Sequence, residues 1–179
     1  MPRRYDPERP QRIIDAAIRV VGERGIAGLS HRAVAAEADV PLGSTTYHFA
    51  SLDDLLVAAL RQVNGAWLAG IEEWERGVDA AVPLADELTR LVEESLTGDR
   101  ARAELEYELY LAALRHTAVR PLAAECLDAM VGLLARRTGD TGTARALVGL
   151  IDGLTLQHLL TGREFDRAEV RDAVARVLG

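Results

Sequence analysis

Leu29 to Leu56 reads LSHRAVAAEADVPLGSTTYHFASLDDLL, a pattern of two short helices separated by a break and followed by a capped helix start. Ser30 is an N-cap residue for the first helix, and Val34, Ala35 and Ala38 give that helix a small apolar face. The Asp39-Val40-Pro41-Leu42-Gly43 run is expected to end it. A second helix over about Ser44 to Phe49 then carries Ser44, Thr45, Thr46, Tyr47 and His48, all hydrogen-bonding types, with Phe49 and Val40 as anchors to the first helix. Two short helices joined by a tight turn, the second rich in short polar side chains, form a helix-turn-helix of the kind whose second helix enters the major groove. Double-stranded DNA is the partner this pattern implies.

Gly43-Ser44-Thr45-Thr46-Tyr47-His48-Phe49 followed by Ser51-Leu52-Asp53-Asp54-Leu55 resembles the end of the N-terminal DNA-binding domain of the TetR/AcrR family of bacterial repressors. The resemblance extends to Ile13–Gly25 as a supporting first helix. It implies that Arg32 reads a guanine edge, that Ser44 and Thr46 face the groove, and that Tyr47 and His48 contact phosphates. For the last two, packing and helix capping are the alternative roles. Two positions depart from the family pattern: Thr46 stands where tyrosine is usual, and Leu52 where a phosphate-binding lysine is usual.

The chain has 179 residues, of which 49% are hydrophobic, enough to bury one or two cores without disulfides. Cys126 is the only cysteine, and neither a signal-peptide pattern nor an 18-residue apolar run occurs, so a cytoplasmic protein without a membrane span is expected. Net charge is −7, but residues 1–50 hold seven arginines against six acids while the remainder holds fourteen against twenty-two. The acidity therefore lies outside the reading head. Arg3, Arg4, Arg9 and Arg12 form either an arm that reaches phosphates or an adjacent minor groove, or an ordinary solvated tail.

Beyond the head the chain reads as all-α, with about nine helices in total. A division is expected at residue 50, between a helix-turn-helix domain (1–50) and a helical effector-binding and dimerisation domain (51–179). Ser51 caps a long fourth helix whose apolar stripe runs Leu56, Leu60, Val63, Trp67, Ile71, Trp74. Gly65, Gly70 and Gly77 each weaken it by about 1 kcal/mol relative to alanine, so bending or fraying is expected near them. Pro83 opens the fifth helix and Gly98 closes it. A sixth is expected over about Arg100 to His116, with His116 favouring the helix end through its partial charge. A seventh runs from Pro121 to Arg136-Arg137. Thr138–Gly142 is read as a loop, Thr143–Thr161 as the eighth helix, and Asp166 with Glu169 as the capping box of the ninth.

On the eighth helix Leu147, Ile151, Leu154 and His158 make one stripe, thickened by Leu150, Leu156 and Leu160. Gly149 and Gly153, four apart, permit a close helix crossing. Family resemblance adds that the last two helices usually pair into a four-helix bundle, so Leu147, Gly149, Ile151, Gly153, Leu154 and His158 are the expected homodimer interface; packing within one chain is the alternative. Resemblance likewise implies a small-molecule pocket, for which Trp67, Tyr107, Tyr110, Cys126 and Met130 are the candidates, although core packing accounts for the aromatics as well. Glu104, Glu106 and Glu108 offer a negative group for a cationic ligand or simply a solvated face.

No cofactor is implied, and no metal: His116 and His158 lack partners at ligand spacing. No enzyme is expected either, since HExxH, GxSxG and phosphate-cradling loops are missing. Asp140-Thr141-Gly142 matches an aspartic-protease tripeptide but sits between helices in a chain that has only one. The expected function is a homodimeric, ligand-responsive transcriptional repressor on a palindromic operator, released by a small-molecule effector that alters the tilt of the fourth helix. The alternative is a helical protein-interaction module with a weakened DNA-binding head.

Overall fold

Ser30 accepts a hydrogen bond from Ala33 N at 3.1 Å through Oγ, and the helix this cap starts is the second of nine among the described residues. The computed structural model describes residues 6–79 and 81–179, and no strand occurs among them. The helices are α1 (Arg9–Arg24), α2 (His31–Glu37), α3 (Leu42–His48), α4 (Leu52–Gly77), α5 (Leu84–Thr97), α6 (Arg100–Leu111), α7 (Arg120–Thr138), α8 (Thr141–Thr161) and α9 (Arg167–Leu178). Arg3 and Arg4 lie outside the described residues.

The helices fall into two compact units, the described part of Met1–Asn64 with Leu105–Leu122, and Gly65–Glu104 with Ala123–Gly179. The first unit is therefore larger than the head expected from sequence. Its core takes Ile13, Ala16, Ala17, Val20 and Val21 from α1 and Val34 and Ala38 from α2. It also takes Leu55, Leu56, Ala59 and Leu60 from α4, and Leu109, Ala112, Val119 and Leu122 from the distant segment. Residues 1–50 alone supply only part of this core, which is why the compact unit does not end at residue 50.

Local chemistry sets the helix boundaries. Gly25 ends α1 at φ 69°, ψ 172°, a conformation open essentially to glycine alone. Asp39 takes φ 51° in the α2–α3 turn, a left-handed position that short polar side chains tolerate. After it, Pro41 at φ −59° leads into α3, its carbonyl accepting from Ser44 N at 2.7 Å. The helix thus begins at Leu42, two residues ahead of the sequence expectation, and Gly43 belongs to its first turn. Ser51 and Asp54 cap α4 reciprocally, Ser51 Oγ accepting from Asp54 N at 3.1 Å and Asp54 Oδ2 accepting from Ser51 N at 2.9 Å. The 26 residues of α4 then run through all three glycines without a break, because the stripe around them is anchored in the two cores.

Two further boundaries differ from expectation. Helix α6 ends at Leu111 and is followed by short 3-10 turns, Ala112–Leu114 and Thr117–Val119. His116 between them is extended, and its Nδ1 lies 2.9 Å from Asp53 Oδ1; a carboxylate on α4, not a helix end, is its partner. Helix α8 starts at Thr141 because Asp140 Oδ2 accepts from Thr143 N at 2.6 Å. That backbone hydrogen bond, followed by the Thr143 side chain, holds the Asp140 carboxyl below the usual range.

The second unit surrounds Ile71, Trp74, Ala85, Leu88, Met130, Leu133, Leu134, Leu147 and Val148. Helix α9, capped by Asp166 on Ala168 N and Glu169 N, packs on α5 and α8. Ion pairs of Arg171 with Asp86 at 2.6 Å and of Arg167 with Glu93 fix its place along α5.

Candidate nucleic-acid interface and effector unit

Helix α3 has two unlike sides. Thr45 is fully buried, its Oγ1 donating to Leu42 O at 2.8 Å, and Ser44 is only 8% exposed. Thr45 therefore does not reach a duplex; its hydroxyl is used within its own helix and its methyl packs inward, which corrects its placement among the DNA-contacting residues. On the other side Leu42, Gly43, Thr46 and Tyr47 are exposed, at the i, i+1, i+4 and i+5 positions of one helical face. Tyr47 is 83% exposed, so it is not a packing residue, and its ring meets His48 edge-on at 5.0 Å. Sequence reading missed Leu42 and Gly43 because they were assigned to the turn. Counting one turn back from Thr46 and Tyr47 finds them. A Cβ on Gly43 would meet nothing within 4 Å, so this point of the face stays low.

Arg32, in the first turn of α2, is exposed and has no ion pair among the described residues. Arg19 bonds Glu37 at 2.7 Å, tying α1 to α2, while Arg12 and Arg9 are drawn to Asp6 at 2.7 Å and 3.8 Å. Leu52 is 40% exposed at the start of α4.

Residues 105–122 are tied to this unit at three points. Glu108 Oε1 accepts from Ile26 N at 2.7 Å, in the turn between α1 and α2. His116 meets Asp53, and Asn64 Nδ2 donates to Leu122 O at 3.1 Å. Of the three glutamates read from sequence as a ligand group or a solvated face, Glu108 is thus a structural acceptor.

The five pocket candidates divide between the units. Trp67 packs against the core of the second unit and Met130 is buried in it, and Cys126 on α7 is half-buried. Tyr107 and Tyr110 belong to the first unit, where their rings meet edge-on at 6.4 Å. Sequence reading passed over Glu87, which is 6% exposed and bonds Arg90 Nη2 at 2.5 Å. The hydrogen bond that Glu87 accepts, together with its charge, holds the Arg90 guanidinium further into its protonated range.

On α8 Leu147 is fully buried in its own chain's core, which removes it from the residues available to a partner. Ile151 and Leu154 are partly buried against the same core. His158 meets Phe165 edge-on at 5.6 Å. Gly149 and Leu160 are exposed, the latter at 82%, and Gly153 is half-buried with nothing within 4 Å of an added Cβ. Among the described residues no three His, Cys, Asp or Glu side chains gather as metal ligands, and no helix is long and apolar enough to cross a membrane.

A short exposed helix, held by α1 and α2 and followed by a helical unit with its own core, defines a helix-turn-helix transcriptional regulator. Residues 13–59 match the model for bacterial regulatory proteins of the tetR family, and residues 79–179 that for the tetracyclin repressor-like C-terminal domain. The chain belongs to the TetR family and is a ligand-responsive DNA-binding regulator. The multidrug binding protein EbrR in complex with ethidium is 59% identical, with TM-score 0.87, over 97% of this chain and 99% of that one. EbrR has also been solved with imidazole, proflavin and malachite green. A TetR family member from Streptomyces coelicolor A3 is 58% identical, with TM-score 0.85, over 97% and 99% of the two chains. The nicotine-responsive transcriptional repressor HdnoR of Paenarthrobacter nicotinovorans is 25% identical over 162 residues, 84% of each chain.

Proposed function

We propose that this chain is a homodimeric repressor that reads a palindromic operator with α3 and is released by a flat aromatic cation bound in its second unit. The observation that carries the DNA reading is the division of α3, with Thr45 inside and Thr46 and Tyr47 in solvent, while Arg32 on α2 is exposed and has no ion pair among the described residues. Arg32 and Thr46 supply base contacts, and Tyr47 and His48 hold phosphates. Ser44, nearly covered, reaches the duplex only through its small exposed edge. The exposed Leu52 gives up one phosphate contact, so the salt dependence is shallower by about one ion than with lysine there.

Dimerisation is supported by the solvent side of α8, where Gly149, Gly153 and Leu160 leave an apolar strip with low points for a second helix. Ile151, Leu154 and His158 border it. Two-fold symmetry then sets the reading helices about one turn of DNA apart, or a multiple of it. The effector class is supported by EbrR, whose ethidium, proflavin and malachite green are conjugated organic cations, and by the tryptophans and Met130 that line the second core. Helix α4 contributes Leu56 and Leu60 to one core and Ile71 and Trp74 to the other. A ligand that prefers one position of this helix is coupled to the head by about 1–3 kcal/mol, or roughly 5- to 150-fold in DNA affinity.

The test begins with selection of duplexes from a random library by the purified protein. Recovery of a palindrome is expected; no enrichment at low salt would replace this reading with an interaction module carrying a weakened head. Malachite green, checked against free duplex for direct binding, is then expected to release the operator. By reciprocity it must bind less tightly to the DNA complex than to free protein, and equal affinities would exclude the mechanism.

A further inference from the structure

The reading side of α3 is not wholly polar. Leu42, its first residue, has 45% of its surface in solvent, one turn before Thr46 and on the same face as Tyr47. A lone exposed leucine is ordinary, but the backbone that carries this one is fixed from both sides. Pro41 enters the helix at φ −59°, ψ 141°, and its carbonyl accepts from Ser44 N at 2.7 Å. Thr45, fully buried, donates from Oγ1 to the carbonyl of Leu42 itself at 2.8 Å. A side chain in solvent is thus tied through its own peptide to a buried anchor, and its place is set before any partner arrives.

The residues that follow it leave the leucine room. Gly43 brings no side chain, and a Cβ there would meet nothing within 4 Å. Ser44 is only 8% exposed, so the next side chains to project are Thr46 and Tyr47. Leucine carries neither donor nor acceptor and can therefore neither hold a phosphate nor bond a base edge. The major groove presents donors and acceptors at every base pair, and the apolar group among them is the C5 methyl of thymine.

We propose that Leu42 is a specificity-determining residue that reads one thymine in each half-site by covering its C5 methyl. This rests on the reading of α3 as the helix that enters the groove. Residues four apart on a helix have Cβ atoms about 5–6 Å apart, against a rise of about 3.4 Å between base pairs. The thymine therefore lies within about two base pairs of the position that Thr46 contacts. Covering one methyl-sized group is worth about fourfold in affinity, and the two half-sites of a palindrome multiply this to about fifteenfold.

The experiment titrates the full chain with the duplex recovered by selection, in which deoxyuridine replaces each thymidine in turn. The exchange removes the methyl and leaves the O4 acceptor. One symmetric pair of positions is expected to lose about fourfold with deoxyuridine in one half-site and about fifteenfold with it in both. In Leu42→Ala the same duplexes should bind within about 1.5-fold of one another, while Thr46→Ala keeps the difference at that pair. Low salt keeps the weaker complexes measurable. If Leu42→Ala fails to fold or to bind, Leu42→Gln, similar in length but polar, decides by the same loss. A recovered site without a recurrent thymine overturns the assignment, as does a wild-type chain indifferent to every deoxyuridine, the result expected of a leucine idle in solvent or wedged between base steps. Sensitivity that persists without Leu42 overturns it equally. A selection that recovers no site would remove the DNA reading itself, an outcome distinct from a recovered site whose methyls do not matter.

Discussion

Replacing Gly25 by alanine tests how the reading head is held together. At φ 69°, ψ 172° the residue occupies a region that costs a side chain-bearing residue about 1–3 kcal/mol. An added Cβ would also lie 3.0 Å from Glu108 Oε1, the atom that accepts from Ile26 N at 2.7 Å. The carboxylate must give by a few tenths of an ångström, which lengthens a bond of a kind worth about 1.5–3 kcal/mol when intact. Partial loss of that bond on top of the strain gives about 2–4 kcal/mol, a large share of the roughly 5–15 kcal/mol of a small domain. Urea unfolding followed by circular dichroism measures the total. Hydrogen exchange over residues 21–30 should place the loss at the α1–α2 turn. A cycle with Glu108→Ala separates the parts: both substitutions act on one contact, so the double variant should cost less than the summed singles by about 0.5 kcal/mol or more. A Gly25→Ala variant within about 0.5 kcal/mol of the wild type would refute both the strain and the clip, and strictly additive singles would refute the clip alone.

Arg32→Ala should relax base preference at one operator position at a cost of about 1–3 kcal/mol, read by competition among single-base variants of the selected site; uniform weakening would assign Arg32 to the backbone. Tyr47→Ala and His48→Ala should weaken all duplexes alike without changing base preference, and Tyr47→Ala should leave stability within about 0.5 kcal/mol because the ring is in solvent. Thr45→Val should behave oppositely, destabilising the fold by about 1 kcal/mol or more through the lost internal hydrogen bond while base preference stays unchanged. For Asp140 the folded-state carboxyl is depressed, so its cap contributes fully above the ordinary aspartate range near pH 4 and is lost as pH falls through the lower folded value. The stability difference between wild type and Asp140→Asn, from thermal melts, should be constant at neutral pH and shrink below about pH 4.

Features that depend on a few neighbouring residues were legible from sequence. The caps at Ser30, Ser51 and Asp166 and the openings and closings at Pro83 and Gly98 each concern one turn of helix, so residue type nearly determines them. Thr45 was not legible, because every side chain from Ser44 to His48 is polar and a threonine hydroxyl can be buried at little cost by bonding its own helix. Leu147 failed for the converse reason: α8 is apolar around most of its circumference, and periodicity alone does not say which leucines meet the chain's own core. Glu108 and Glu87 were hidden by composition. Each lies in an acid-rich helix that reads as solvated, and what distinguishes them is a partner, Ile26 in the first case 82 residues away, and burial in the second.

The distant partner changes what the head is. Leu109, Ala112, Val119 and Leu122 fill the core under α1 and α4, and Glu108, His116 and Leu122 carry the polar ties at Ile26, Asp53 and Asn64. The unit that presents α3 is therefore completed by a segment more than forty residues beyond it in sequence, and α6 supplies residues to both compact units. Within the first unit, any displacement of Glu108 would act on the α1–α2 turn through its bond to Ile26 N. The proposed coupling of about 1–3 kcal/mol is comparable to the single Glu108 bond, so loss of that one contact would be as large as the whole effect the switch requires.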